Sequence, residues 1–297
     1  MTLPQLQRPP AIDEYAAPRS LDEALEAMAD GAATCVAGGT DLWVQKDEPG
    51  RAVGKRLVNI KNVPELRGIA VKAGRVRLGA LVTMSQLLEN EDLAKKVPLL
   101  RAAADKFASV QIRNAATVGG NIANASPAAD FVVPLLCLDA EVTLASLKKG
   151  GKVATRTVPI DEVFTGPGKT VIAPEELITG VEFAVPGKNF YGGFAKTGPR
   201  PALEIALVSL GFAAYVEDGT LRDVRLALGA VAPTPLRARK TEAALEGKTI
   251  DDALIDTAAE ALDAEIAPID DHRGSAWYRR RLARAYLMQE LGHAASG

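Results

Sequence analysis

The sequence predicts an α+β protein in two domains, and the order of its elements is the main reason. Up to residue 185, short extended runs alternate with capped helical patterns, which indicates mixed sheets and helices. Beyond a Pro186-Gly187 break, three extended runs precede three helical patterns, which is typical of antiparallel strands packed on helices. We expect a two-part domain at 1–185, with lobes at about 1–60 and 61–185, and a small C-terminal domain at 186–297.

Caps and apolar spacing locate the elements of the first domain. Ser20 and Glu23 form a capping box at the start of a helix that stops at Gly31. A short strand at 34–37 then runs into Gly38-Gly39. Further strands are predicted at Arg56–Ile60, Arg75–Leu78, Glu141–Ala145, Val153–Val158 and Ile178–Val185, and further helices at Thr83–Asn90, Pro98–Ser109 and Asp130–Leu138.

The second domain begins with strands and ends with helices. Strands are predicted at Phe194–Lys196, Leu203–Val216 and Leu221–Leu228, and Asp218-Gly219 is a hairpin turn. Helices are predicted at 235–246, 251–264 and 275–292. The last helix carries Arg279, Arg280, Arg281 and Arg284. These arginines either face a partner subunit or, as the favoured interpretation for most of them, lie on a solvated helix face.

Composition excludes several classes of function. The 35 basic and 37 acidic residues nearly balance, which argues against a nucleic-acid or membrane-surface partner. Two cysteines and two histidines are too few for a cysteine-held iron–sulfur cluster, and we expect no metal site. No signal peptide is recognisable, and the longest apolar stretch, Ile205–Val216, is far shorter than the ~20 residues of a membrane span. We expect a soluble, cytoplasmic protein.

Two glycine pairs are the clearest chemical signal in the sequence. Ala37–Leu42 and Thr117–Ile122 each combine two adjacent glycines with a threonine hydroxyl. Glycine permits positive φ and close approach, so such turns curl backbone N–H groups around an anion, and two of them suit a diphosphate. Neither is a Walker A loop or a Gly-x-Gly-x-x-Gly fingerprint. Two ordinary tight turns remain the alternative.

These segments also carry a family resemblance. Ala37–Leu42 and Ala116–Asp130 resemble the two FAD-binding signatures of the molybdenum hydroxylases, a family that includes the flavin domain of xanthine dehydrogenase and the medium subunits of bacterial carbon monoxide dehydrogenase. The second signature is long and specific, and the resemblance reaches Trp277–Arg281 near the end of the chain. FAD is expected to be non-covalent, because neither histidine is near the glycine turns.

The resemblance implies a role for each matching residue. Asp130 would accept hydrogen bonds from ribityl or ribose hydroxyls, and Lys196 would be a catalytic cation that stabilises electron density gained by the flavin. Leu177 and Ile178 would touch the isoalloxazine ring. The implied cofactor-binding set is Ala37, Gly38, Gly39, Thr40, Asp41, Leu42, Phe107, Ala116, Thr117, Gly119, Gly120, Asn121, Ser126, Asp130, Leu177, Ile178 and Lys196.

Several of these residues have a simpler interpretation. Asp130 is equally a helix N-cap, Phe107 a core residue of the third helix, and Lys196 a solvated strand lysine. The loop 197–202 could approach the flavin's reactive edge and help select the electron acceptor, although its Arg200 more often would face water. Cys35 and Cys137 are interpreted as small buried apolar residues.

The resemblance finally implies partners and a function. In the family, electrons pass from a molybdenum cofactor in a large subunit, through 2Fe–2S clusters in a small subunit, to FAD and then to NAD⁺, a quinone, oxygen or another acceptor. This chain fits the flavin stage, and a dimer of heterotrimers is expected. The iron–sulfur insertion of the aromatic-CoA branch is not expected, because its cysteines are missing. A free-standing flavin oxidoreductase and a non-catalytic nucleotide-binding scaffold remain alternatives.

Overall fold

The computed structural model describes residues 12–46, 53–198 and 205–296. The first lobe is a small parallel sheet, with strands ordered β1-β3-β2. Its helix begins where the sequence predicts, because the Ser20 hydroxyl accepts a hydrogen bond from the N–H of Glu23. The elements are β1 (Glu14–Ala16), α1 (Leu21–Met28), β2 (Ala33–Val36), α2 (Leu42–Gln45) and β3 (Arg56–Asn59).

The second lobe is an antiparallel five-stranded sheet with six short helices, and its strand order is β4-β5-β10-β6-β7. The sheet and helices share one apolar core. The strands of this sheet are β4 (Ile69–Lys72), β5 (Arg75–Gly79), β6 (Glu141–Leu147), β7 (Val153–Pro159) and β10 (Leu177–Ala184). Two further strands, β8 (Phe164–Gly166) and β9 (Lys169–Thr170), pair only with each other. The helices are α3 (Met84–Glu89), α4 (Glu91–Lys96), α5 (Pro98–Asp105), α6 (Val110–Ala115), α7 (Val118–Asn124) and α8 (Val132–Cys137).

The predicted ranges of two helices in this lobe are wrong. The helix from Pro98 stops at Asp105, because Ala108 adopts a left-handed φ of 40° and turns the chain. Ser109 instead caps α6, its hydroxyl accepting from the N–H of Ile112. The helix predicted from Asp130 begins at Val132, and Asp130 does not cap it.

The C-terminal region is an antiparallel sheet covered by helices on one face. A fourth strand is present where the sequence predicts the start of a helix, because Leu236 pairs with Leu228. The strands are β11 (Phe190–Thr197), β12 (Val208–Glu217), β13 (Thr220–Gly229) and β14 (Leu236–Arg237). The helices are α9 (Arg239–Leu245), α10 (Asp252–Glu265) and α11 (Ala276–Ser296). The domain boundary at Pro186-Gly187 stays a prediction.

The other face of this sheet packs on the second lobe. All six residues of α8 are buried, and a Cβ on Gly211 of β12 would lie 3.1 Å from Val133 and Cys137. This tight packing fixes the C-terminal sheet against the lobe that carries the second glycine pair. None of the helices within 12–46, 53–198 and 205–296 has the length and apolar character of a bilayer-spanning helix.

The arginines of α11 do not share one environment. Arg279 is buried and donates to the carbonyl oxygens of Leu207 at 2.7 Å and Ala230 at 3.1 Å. For Arg279, therefore, both sequence interpretations are wrong, and its role is to anchor the helix to the sheet. Arg281 lies over the exposed Trp277 ring, 5.1 Å from the centroid.

Candidate functional site

The first glycine pair forms a loop between β2 and α2, and three of its backbone N–H groups find no acceptor in the described part of the chain. Gly39 has a φ of 69°, a left-handed conformation that favours glycine. Gly38 packs directly against the end of α6. A Cβ at this position would overlap the Ala115 carbonyl group and would lie 2.8 Å from its carbon atom. Among the described residues, no acceptor is found for the N–H groups of Gly38, Gly39 and Thr40. Consecutive unpaired N–H groups of this kind form an anion-binding concavity.

The second glycine pair is built differently from the first. Gly119 and Gly120 lie in the first turn of α7, and Thr117 caps that helix. The Gly120 N–H donates to the Thr117 hydroxyl at 3.0 Å, and the Gly119 N–H donates to the Ala80 carbonyl at 2.9 Å. The expectation that this pair repeats the first design is wrong, because both N–H groups already have acceptors. Gly119 serves close packing, since a Cβ would lie 2.9 Å from that of Ala80.

The two segments face each other across a cleft with two adjoining parts, which enclose about 200 and 130 Å³. Together they reach the lower end of the ~300–1,000 Å³ typical of small-molecule sites. Of the predicted residues, Ala37, Gly38, Gly39, Thr40, Asp41, Leu42, Phe107, Ala116, Thr117, Gly120 and Asn121 line the first part. Ala37, Gly119, Gly120, Leu177 and Ile178 line the second part.

Three predicted residues lie outside the lining of both parts. Ser126 accepts a hydrogen bond from the Ala128 N–H at 3.2 Å and shapes the loop after α7. Asp130 and Lys196 form an ion pair with each other, and the lysine Nζ also donates to the Lys106 carbonyl at 3.2 Å. The pair joins the segment before α8 to β11. Their roles toward a cofactor stay predictions, and Arg200 lies outside the described residues.

The Asp130–Lys196 ion pair is buried, and burial sets the pKa of its carboxyl group. The side chains of Lys196 and Asp130 are only 7% and 9% exposed, so a solvated lysine is the wrong interpretation. Burial raises the pKa of Asp130 to about 6, although the Lys196 charge acts to lower it. The Asp130 Oδ1 atom is buried and accepts no hydrogen bond from any described residue. A buried acceptor without a donor is rare, so the Oδ1 atom keeps the predicted role of Asp130 open.

The sequence missed several residues of the cleft. Asn124 donates to the Asp41 carboxylate at 2.9 Å and so connects the two glycine segments. Its position three residues after Asn121, on the same helix face, was an available signal. Glu176 had no local signal, because its partner, Arg156, is distant in sequence. The other missed lining residues are Cys35, Val36, Gln45, Ile60, Ala80, Ala123 and Ile172.

Cys35 lines both parts of the cleft, but its thiol is not activated. Burial raises the pKa of this thiol to about 12, and burial raises the pKa of Cys137 to about 12 as well. A thiol in this state is a poor nucleophile at neutral pH. Within the described part of the chain, no three His, Cys, Asp or Glu side chains cluster as a metal site would require.

Comparison with known proteins identifies the kind of cleft. Residues 10–186 match the family described as the FAD binding domain in molybdopterin dehydrogenase, and residues 194–294 match the CO dehydrogenase flavoprotein C-terminal domain. The chain belongs to this flavoprotein family. The resemblance seen in the two glycine signatures is therefore confirmed, as is the α+β fold.

Relatives of this flavoprotein span its length. The xanthine dehydrogenase FAD-binding subunit of Escherichia coli O157:H7 is 31% identical over 93% of this chain and 94% of its own. The carbon monoxide dehydrogenase structure from Hydrogenophaga pseudoflava has 30% identity and a TM-score of 0.88 over 95% and 97% of the two chains. Quinoline 2-oxidoreductase from Pseudomonas putida 86 has 31% identity and a TM-score of 0.86 over 96% and 97%.

The cleft of this flavoprotein suits FAD on its own geometry. The unpaired N–H groups of Gly38, Gly39 and Thr40 are donors for a diphosphate. The buried Oδ1 atom of Asn121 accepts no hydrogen bond from the described residues and is an acceptor available to the cofactor. The second part of the cleft is lined mostly by apolar side chains, as a planar ring system requires.

Proposed function

We propose that this chain is the FAD-carrying electron-transfer subunit of a molybdenum hydroxylase. When bound, FAD supplies an acceptor for electrons from 2Fe–2S clusters of a small partner subunit, and a donor to NAD⁺, a quinone, oxygen or another carrier. The molybdenum cofactor belongs to a large partner subunit, and the assembly is a dimer of heterotrimers. A cytoplasmic location stays part of this proposal.

The observation that carries the proposal is the first glycine loop. Its three N–H groups, which have no acceptor within residues 12–46, 53–198 and 205–296, line a cleft that also holds the Thr117 hydroxyl and the Asn121 amide. These groups bind the diphosphate without a charged side chain, which is how backbone concavities bind anions. The apolar wall formed by Leu177 and Ile178 receives the isoalloxazine ring and excludes water from one side of it.

Asp130 and Lys196 act as a unit in this proposal. The buried Lys196 ammonium is held beside Asp130. Its position is therefore fixed, and the carboxylate partly neutralises its charge. The net charge of the buried pair depends on whether Asp130 is ionised, because the pKa of Asp130, about 6, lies close to neutrality. The buried Oδ1 atom is the acceptor for a cofactor hydroxyl.

The names of the relatives support electron transfer over substrate recognition. Proteins of this length and fold serve enzymes named for xanthine, carbon monoxide and quinoline, which share little as molecules. A subunit common to such different enzymes performs a step common to all of them. The organic substrate is therefore recognised in the large partner subunit.

The test is to purify the chain alone and together with its co-expressed partner subunits, and to record visible spectra. A yellow chain that is reduced by an organic substrate only in the presence of both partners supports the proposal. Turnover by the chain alone with NAD(P)H and a small substrate would instead show a free-standing oxidoreductase. A colourless chain that cannot be reconstituted with FAD would show a scaffold.

A further inference from the structure

The segment 171–176 forms a turn that leads into β10 and carries one wall of the cleft. The Glu176 N–H donates to the Ala173 carbonyl at 2.9 Å and closes the turn. Ile172 and Glu176 line the second part of the cleft, followed by Leu177 and Ile178 at the start of β10. The position of this wall therefore depends on what holds the turn.

An arginine on β7, two strands away from β10 in the sheet, holds the turn at several points. Arg156 of β7 binds Glu176 in a bidentate pair, with Nε–Oε1 and Nη2–Oε2 distances of 2.6 Å. Its Nη2 atom also donates to the Val171 carbonyl at 2.9 Å, and Glu176 accepts from the Ala173 N–H at 2.8 Å. Isolated surface ion pairs contribute little, but bidentate pairs that also bind backbone are geometrically restrictive.

The wall lies where the two lobes meet. Leu177 packs into the core of the first lobe with Leu25 and Ile60, whereas Ile178 belongs to the core of the second lobe. The pairing of β10 with β6 shifts register just beyond Ile178, at a bulge of the kind that redirects side chains. A small displacement of the turn would therefore move both wall residues relative to the glycine loops.

We propose that Arg156 and Glu176 are positioning residues for the flavin ring, resting on the proposed function of the chain. They fix the turn 171–176 and thereby the Leu177–Ile178 wall, while the glycine loops hold the diphosphate independently. Loss of the pair weakens the contact with the isoalloxazine ring and leaves the diphosphate site intact. FAD and ADP distinguish these two effects, because ADP carries the diphosphate without the ring.

The experiment measures FAD and ADP binding to the full chain by calorimetry, in wild type, Arg156→Met and Arg156→Lys. The control is Arg75→Met. Arg75 binds Glu141 at 2.6 Å on the same sheet, with both side chains 46% exposed and neither one lining the cleft. Visible absorption of the FAD-saturated proteins reports the surroundings of the ring.

We expect Arg156→Met to weaken FAD binding by about tenfold or more and ADP binding by less than about twofold, since ordering the released turn on binding costs free energy that corresponds to about one decade of affinity. The bound flavin spectrum should also change. Arg156→Lys should be intermediate, because it keeps the charge and loses the bidentate geometry, and Arg75→Met should match wild type.

Equal losses of FAD and ADP affinity, or a response of Arg156→Met no larger than that of the control, would overturn the inference. If ADP binds too weakly to titrate, an unchanged spectrum at saturating FAD overturns it. A wild-type chain that binds no FAD removes the proposed function as well, whereas unchanged FAD binding in Arg156→Met removes only the positioning role.

Discussion

Replacing Lys196 with methionine should destabilise the chain in a pH-dependent way. Methionine keeps most of the side-chain volume but leaves Asp130 buried without its cation. Burial already raises the pKa of Asp130 to about 6 with the lysine in place, so removal of the lysine raises it further. The folded state then holds this proton more tightly than the unfolded state, where the aspartate pKa is ~3.9.

The sign of the effect follows from this difference in proton affinity. A raised carboxyl pKa contributes stability that is present below ~3.9 and is lost as pH rises through the folded pKa. At pH 8 the variant must ionise Asp130 without a partner, and breaking a buried pair costs ~3–5 kcal/mol. At pH 5 the carboxyl is mostly protonated, and the cost falls toward the ~1 kcal/mol of a lost hydrogen bond.

Urea unfolding followed by circular dichroism at pH 5 and pH 8 measures both values. Asp130→Asn is the matched control, because it removes the titrating carboxyl and leaves the lysine unpaired. That variant should be destabilised at both pH values without the extra loss at pH 8. An equal loss for Lys196→Met at pH 5 and pH 8 would refute the reasoning, since it would mean that Asp130 does not carry the titration.

Three further results are expected. Gly38→Ala should lose FAD binding and stability together, because its Cβ would overlap the Ala115 backbone. Gly120→Ala places a methyl group at the cleft lining, 2.9 Å from the Thr117 hydroxyl, and should weaken FAD binding with a smaller loss in the urea midpoint than Gly38→Ala. Thr117→Ala should lower the unfolding free energy by ~1 kcal/mol in the same assay, as loss of a helix N-cap does. Acid precipitation should release all FAD into the supernatant, because burial raises the pKa of the Cys35 thiol and makes it a poor nucleophile toward the flavin; flavin retained in the pellet would show a covalent link.

Features that depend on neighbouring residues could be predicted from the amino-acid sequence. The caps at Ser20 and Thr83 start helices as predicted, because a cap and its N–H partner lie three residues apart. The hairpin of β6 and β7 also forms where alternation and Lys148–Gly151 place it. Both glycine signatures were recognisable for the same reason, since each is a contiguous segment.

The contacts that those segments make could be seen only in the folded chain. Asp130 and Lys196 are 66 positions apart, so their mutual pairing had no local signal, and the sequence assigned each separately to the cofactor. The two glycine pairs look alike in sequence, yet the N–H of Gly119 is satisfied by Ala80 while that of Gly39 has no acceptor among the described residues. Hydrogen bonds and burial between distant segments exist only after the chain has folded, and they separate a residue that binds a ligand from one that holds the binding site in place.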